Sequence, residues 1–246
     1  MSEKSSTEEP SVITELSDAW LVDKPSGWLV HPQRGVDAHS MTDWVGTNLG
    51  HGRSFPVHRL DRGTSGIMVW AKSSESARSW QSAWQAGLIR KGYLAIVRGS
   101  VEGEHFVDHP VPGDEGGEKK AAQSMVRAIS TLCVEPRFLT LLEVEPYTGR
   151  YHQIRRHVKH LGHPLIGDSN YGRTELNRAF CQTHGLCRLG LHASWLHVTP
   201  DRMTYRAPLP GSLERPLKSL GGLDSVHAGD AFKLFLRPRG SPSSQG

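Results

Sequence analysis

The sequence predicts an α+β domain built on a mixed, mostly antiparallel sheet with peripheral helices and a central cleft. Short runs of β character, several bounded by Gly or Pro, recur along the chain, whereas helical spacing of apolar residues is clear in two places only. Strands grouped in this way, with few and scattered helices, do not fit a doubly wound parallel sheet. A 37% hydrophobic share against 22% charged residues over 246 residues is enough to bury a core.

Residues 1–18 are polar and acidic and read as a disordered leader, so the fold is expected to start at Ala19-Trp20-Leu21-Val22. Strands are expected at 19–23, 28–31, 66–71, 93–98, 123–130, 138–145, 189–198 and 203–207. A helix is expected over 73–88: Ser73 or Ser74 can cap it, Glu75 suits its first turn, and Ala77, Trp80, Trp84 and Leu88 repeat at helical spacing. A second, over 151–161, puts Ile154, Val158 and Leu161 on one side and His152, Arg155, Arg156 and Lys159 around the other, which makes its polar side strongly cationic. The Gly/Glu/Lys stretch 113–120 reads as a surface loop, and 237–246 as a flexible tail after a catalytic domain spanning 19–236.

Composition narrows the function classes. No run of 18 or more apolar residues exists, and the N-terminus lacks the basic flank and apolar stretch of a secretory signal, so no membrane partner is expected. Three cysteines, Cys133, Cys181 and Cys187, are too few and too odd for a disulfide framework; passive thiols in a reducing cytoplasm are the expectation. The first 18 residues hold one lysine against five acids, which leaves the remainder at +8, twice the whole-chain +4. With 14 histidines added, that balance suits a phosphate-rich partner.

Two segments are dressed for chemistry. Val57-His58-Arg59-Leu60-Asp61-Arg62-Gly63-Thr64-Ser65-Gly66 places one carboxylate among two arginines and a histidine, with glycines that let the backbone turn sharply beside a large ligand. Its plainer reading is a salt-bridged turn entering a strand. Tyr147-Thr148-Gly149-Arg150-Tyr151-His152-Gln153-Ile154-Arg155-Arg156-His157 carries a Gly turn into the cationic helix, a setting that attracts phosphates or is merely a solvated basic face. Between them Arg90-Lys91-Gly92-Tyr93 feeds an apolar strand, where Tyr93 offers a ring for stacking and a hydroxyl for proton transfer, or simply core packing.

Taken in order with Leu21-Val22-Asp23-Lys24-Pro25-Ser26-Gly27-Trp28-Leu29-Val30-His31, these stretches resemble the RluA-type pseudouridine synthases over about residues 19–207. His163-Pro164-Leu165-Ile166-Gly167-Asp168-Ser169-Asn170-Tyr171-Gly172, Asn177-Arg178 and Leu191-His192-Ala193-Ser194 are similar to the TruC-type branch, which modifies uridine 65 of transfer RNA. The resemblance implies that Asp61 is the catalytic carboxylate, that Arg155 pairs with it, and that Tyr93 stacks on a flipped uracil. It implies further that Arg59 enters the RNA stack in place of that base and that Ile154 walls the pocket. Arg62, Arg150, Arg156 and Lys159 become phosphate-contact candidates. The isomerisation makes no net change in composition, so neither cofactor nor metal is expected. The partner is RNA, transfer RNA first and ribosomal RNA as the alternative, and the protein is expected to act as a monomer.

Three rivals stay open from the residues. Cys181-Gln182-Thr183-His184-Gly185-Leu186-Cys187, with Cys133 elsewhere, suggests a zinc module that would still lack a fourth ligand. The basic clusters alone would serve a catalytically silent RNA-binding protein. His58, Asp61 and Ser65 could be a hydrolase relay, although a triad packed into eight residues rarely has the orientation it needs.

Overall fold

In a computed structural model, which describes residues 8–50, 55–113, 117–135, 137–199 and 202–222, the first half of the chain runs β1 (Ser11–Glu15), β2 (Ala19–Lys24), α1 (Met41–Asn48), β3 (Phe55–Pro56), β4 (Ser65–Ala71), α2 (Ser74–Gln85) and β5 (Ile89–Arg98). It continues through β6 (Glu104–Asp108), β7 (Val111–Pro112), β8 (Lys119–Lys120), β9 (Gln123–Val134), β10 (Arg137–Pro146), α3 (Gln153–His160), α4 (Thr174–His184), β11 (Leu191–Val198), β12 (Met203–Arg206) and α5 (Gly211–Ser219). Ten strands form one sheet in the order β1-β2-β4-β11-β5-β10-β9-β6, with β3 beside β4 and β12 beside β11. Among the described strands only β4 and β11 run parallel; the other pairs of this sheet are antiparallel, as the sequence predicts.

The sheet is buried on both faces, and β5 shows how. Tyr93, Ala95 and Val97 point into one core, shared with Met41 and Val45 of α1, Trp80 of α2, and Ile154 and Val158 of α3. Leu94 and Ile96 point into the other, with Phe180 of α4 and Leu213 and Leu217 of α5. The period of two along a strand makes this division automatic once the strand is central. α2 is closed at its start by a capping box between Ser73 and Ser76, which is why it begins where its serines predict.

Several expectations need correction. The leader, expected to be disordered through residue 18, contains β1, because Ser11–Glu15 finds an antiparallel partner in β2, and Glu8 accepts hydrogen bonds from Ser212 N at 2.9 Å and Ser212 Oγ at 3.1 Å. The expected strand at 28–31 is irregular chain that makes a single bridge, Leu29 to Ser40. α1, α4, α5, β3, β6, β7 and β8 are not among the elements the sequence predicts. Of the expected 113–120 loop, Lys119–Lys120 are strand β8, paired with β7 in a small hairpin, and residues 114–116 lie outside the described residues. Cys181 and Cys187 are not passive thiols but a disulfide: Gly185, in the left-handed region at φ +71°, turns the chain back over the last turn of α4. The flexible tail, 237–246, and the last part of the expected domain lie outside the described residues.

Candidate active site

Asp61 sits in the loop between β3 and β4, and that loop is fixed through its carbonyls. Thr64 N–H donates to Asp61 O at 3.0 Å, Gly27 N–H to Arg62 O at 2.7 Å, and Ser26 Oγ to Gly63 O at 2.8 Å. Lys24, completely buried, donates to Trp28 O at 2.8 Å, Pro25 O at 2.9 Å and Arg62 O at 3.3 Å. Burial, with the Arg188 charge second, pushes the Lys24 ammonium down to about 7. Just past the loop, Gly66 has φ +115°, and a Cβ there would collide with the Ala193 carbonyl. Only glycine lets β4 lie flush against β11, which anchors the loop at its exit.

The other half comes from the turn into α3. His152 precedes the helix with φ +53°, an uncommon conformation for a side-chain-bearing residue, its ring stacked on Tyr151 at 3.8 Å. Arg155 is buried, as is His157, so the plainer alternative of a solvated basic face does not hold at Arg155. All five guanidinium N–H groups of Arg155 have acceptors. Nε donates to Asp168 Oδ2 at 2.8 Å, and Nη2 to Asp168 Oδ1 at 2.8 Å and Asn170 Oδ1 at 3.1 Å. Nη1 donates to Asp61 Oδ2 at 3.1 Å and to His152 Nε2 at 2.7 Å.

Because an arginine can only donate, His152 Nε2 accepts, and the imidazole proton is assigned to Nδ1, facing Tyr171 Oη at 3.2 Å. Burial holds His152 below its ordinary pKa, which favours that neutral ring. Burial also opposes the charge on both members of the Arg155–Asp168 pair, but their mutual hydrogen bonds prevail: the guanidinium is raised above, and the Asp168 carboxyl held below, its ordinary value. Asp168 is positioned by its own turn, accepting from Asn170 N at 2.9 Å and Tyr171 N at 3.0 Å.

Asp61, its side chain 24% exposed, lies at a cavity of about 170 Å³ lined by Arg59, Lys91, Tyr93, Ile154 and Arg155 among others. That volume is smaller than a site for a drug-sized ligand and suits a single flat ring. Tyr93 is buried in the wall, and burial, with the Asp61 charge second, raises its phenol well above the ordinary value, so the hydroxyl keeps its proton. A larger groove continues from Asp61 past Ser26, His31, Arg62, Asn170 and Arg188.

Of the residues singled out in the sequence, Asp61, Tyr93, Arg155, Arg59, Arg150 and Ile154 meet at the cavity. Arg150 also donates to Ala121 O at 3.2 Å, and Arg62, in the larger groove, to Gly27 O at 3.0 Å. Arg156 donates to Tyr171 Oη at 2.7 Å and Pro112 O at 3.3 Å, and Lys159 lies 5.6 Å from the Tyr171 ring centre; neither lines the cavity or the groove. Sequence reasoning misses Asp168, His152, Lys24 and Arg188 as site residues. Lys24, His152 and Asp168 lie within the stretches that carry the resemblance, but nothing local marks their partners, and Arg188 carries no signal.

The hydrolase relay does not assemble. Ser65 Oγ pairs with buried His192 Nδ1 at 2.9 Å, while His58 Nε2 accepts the Val69 N–H at 3.1 Å. The zinc reading fails at its ligands, since Cys181 and Cys187 are tied to each other, and no group of three or more His, Cys, Asp or Glu able to hold a metal occurs among the described residues.

Comparison with known proteins identifies the family. Residues 18–160 match the model of the family described as RNA pseudouridylate synthase. A tRNA pseudouridine synthase C of Haemophilus ducreyi is 33% identical over 86% of this chain and 94% of the relative. Its namesake in Pasteurella multocida is 39% identical over 72% and 81%. Among solved structures, Human RNA Pseudouridylate Synthase Domain Containing 1 superposes with TM-score 0.71 at 22% identity, covering 98% of this chain and all of that one, which shows the shared fold.

Proposed function

Since the chain belongs to the RNA pseudouridylate synthase family, we propose that it converts uridine to pseudouridine in transfer RNA, at uridine 65 of the T-stem, with Asp61 as the catalytic carboxylate. The observation that carries the residue assignment is the Asp61–Arg155 contact of 3.1 Å at a cavity walled by Tyr93 and Ile154. The reaction breaks the N1–C1′ bond and joins the same ring through C5, so the protein must hold a detached base while it turns and keep water out. A cavity sized for one ring, with Tyr93 to stack on it and Ile154 opposing polar solvation, meets that demand. Arg155 holds the Asp61 side chain in place, and Arg59, exposed at the mouth, takes the space left in the RNA by the flipped base. Arg62 and Arg150 border the openings and contact phosphates, with Arg156 and Lys159 adding to the surrounding positive field. The relatives' transfer-RNA substrate favours action in the cytoplasm. No described helix is long and apolar enough to cross a membrane.

The test is incubation of the purified protein, with chelator present, with transfer RNA and separately ribosomal RNA from a strain lacking its gene, followed by pseudouridine mapping at single-nucleotide resolution. The expected result is new signal at position 65 of transfer RNA, lost by about 10³-fold or more with Asp61→Asn while RNA binding persists. Signal in ribosomal RNA alone would overturn the substrate, and equal product from Asp61→Asn would overturn the role of the aspartate.

A further inference from the structure

Lys91 opens a part of the cavity that the Asp61–Arg155 chemistry leaves unused. It lies two residues before Tyr93 on β5, opposite Leu196 of β11, and is partly buried at the cavity wall. Its Nζ stands 5.2 Å from the centre of the Trp84 ring and 5.9 Å from that of Tyr93. Gly149, in the turn before α3, lies beside it at the same cavity, where a side chain's first carbon would come within 3.9 Å of Nζ.

Three other cations of the described residues are matched. Arg90 pairs with Glu145 at 2.7 Å, Arg155 with Asp168 at 2.8 Å, and Lys24 donates to three carbonyls. Lys91 has no carboxylate within 4.0 Å among the described residues, and its ammonium borders the cavity between two aromatic faces. A partly buried cation without a fixed anion gains most when a ligand brings one. The titratable groups around it are His58, from the loop before β4, and Tyr93, from its own strand; α2 faces it with the Trp84 ring. His58 is held neutral, its pKa pushed down to about 3 by burial first and the Lys91 charge second.

Resting on the pseudouridine synthase reading, we propose that Lys91 is a catalytic residue that stabilises the negative charge of the uracil ring while the ring is detached from the ribose. When the N1–C1′ bond breaks, its electron pair leaves with the ring, and the charge spreads over N1, O2 and O4; C1′ is left electron-poor on the Asp61 side. When C5 supplies a pair to C1′, the C5 proton departs and N1 ends protonated, so the ring is neutral again and nothing has been added or removed. The Lys91 ammonium interacts most strongly with the intermediate stage, and that differential interaction is what accelerates a reaction. Burial lowers the ammonium to about 8, so it is charged at neutrality and loses its proton just above.

The experiment measures single-turnover rate at saturating transfer RNA, from pH 6.5 to 9, with RNA affinity and thermal melting, for the parent, Lys91→Met and Lys91→Arg. Methionine keeps most of the aliphatic stem and removes the charge. We expect its rate to fall about 100-fold with affinity changed less than about 3-fold and melting unchanged or higher. The parent's rate should decline above about pH 8, Lys91→Met should lack that decline, and Lys91→Arg should recover much of the rate and stay flat. A Lys91→Met rate within about 3-fold of the parent overturns the proposal, and so does a loss confined to affinity, with a salt slope reduced by about one, which would mark a phosphate contact instead. An inactive parent overturns the pseudouridine synthase reading itself, and this proposal with it.

Discussion

Two of the cations that border one cavity are treated in opposite ways. Arg155 has an acceptor for each of its five N–H groups, whereas Lys91, across the cavity, has two aromatic rings and no carboxylate among the described residues. Charge in this site is therefore divided by task. The first cation is fully committed before any substrate arrives, so it orients a carboxylate and is not free to meet a new anion. The second is held without a counter-charge, so it responds to one that appears during the reaction. Positioning and stabilisation are thus separated on the two walls, and each can be perturbed alone.

Breaking the saturated side should cost most. Asp168→Asn leaves Arg155 buried with half of its charge compensation gone, and denaturant unfolding should show a loss of about 3–5 kcal/mol; a loss under about 1 kcal/mol would mean that Asp61 and His152 suffice to hold the guanidinium. Next is Arg155→Lys, which keeps a charge but offers three donors where five are used. Its turnover at saturating RNA should drop about 100-fold, and an unaffected rate would show that Asp61 needs only a nearby charge. On the aromatic wall, Tyr93→Leu should weaken RNA binding by about 1–3 kcal/mol through lost stacking, while Tyr93→Phe should bind like the parent; equal losses in both would assign the effect to the hydroxyl.

A weaker signal, the pH dependence of stability, separates the walls without touching catalysis. Lys91 binds its proton less well folded than unfolded, so above about pH 8 the unfolded chain holds a proton that the folded one releases, and stability rises with pH towards 10.5. Lys91→Met should remove that rise. Asp168 works in the opposite range: its folded carboxyl is held below the ordinary value, so its contribution is complete above about pH 4 and is lost as pH falls further. Unfolding free energies measured across pH for the parent and Lys91→Met would show both limbs or sink the contrast.

Much of the site is legible in the sequence because its parts are local. Asp61 stands out as one carboxylate between Arg59 and Arg62, and the order of separated motifs carries the resemblance that links it to Tyr93 and Arg155. Asp168 is visible as a residue but not as a partner, since nothing within its turn says that a guanidinium 13 positions earlier will be aimed at it. The helical stripe over 151–161 misleads for a related reason. Its period correctly places Ile154 and Val158 in the core, but it cannot show that Arg155 and His157 also turn inward, because a buried arginine is tolerable only when acceptors from other elements are already waiting.

The class of fold and the strands at its centre follow from the order of residues, because period-two burial, Gly and Pro boundaries and serine caps are properties of near neighbours in the chain. Other contacts arise only once the chain has folded: β11 lying parallel to β4, Asp61 meeting Arg155 across 94 positions, and Lys91 left at the cavity without an anion among the described residues. Each depends on the free energy of bringing distant segments together, and a local pattern carries no record of which distant acceptor will be present and which will be absent.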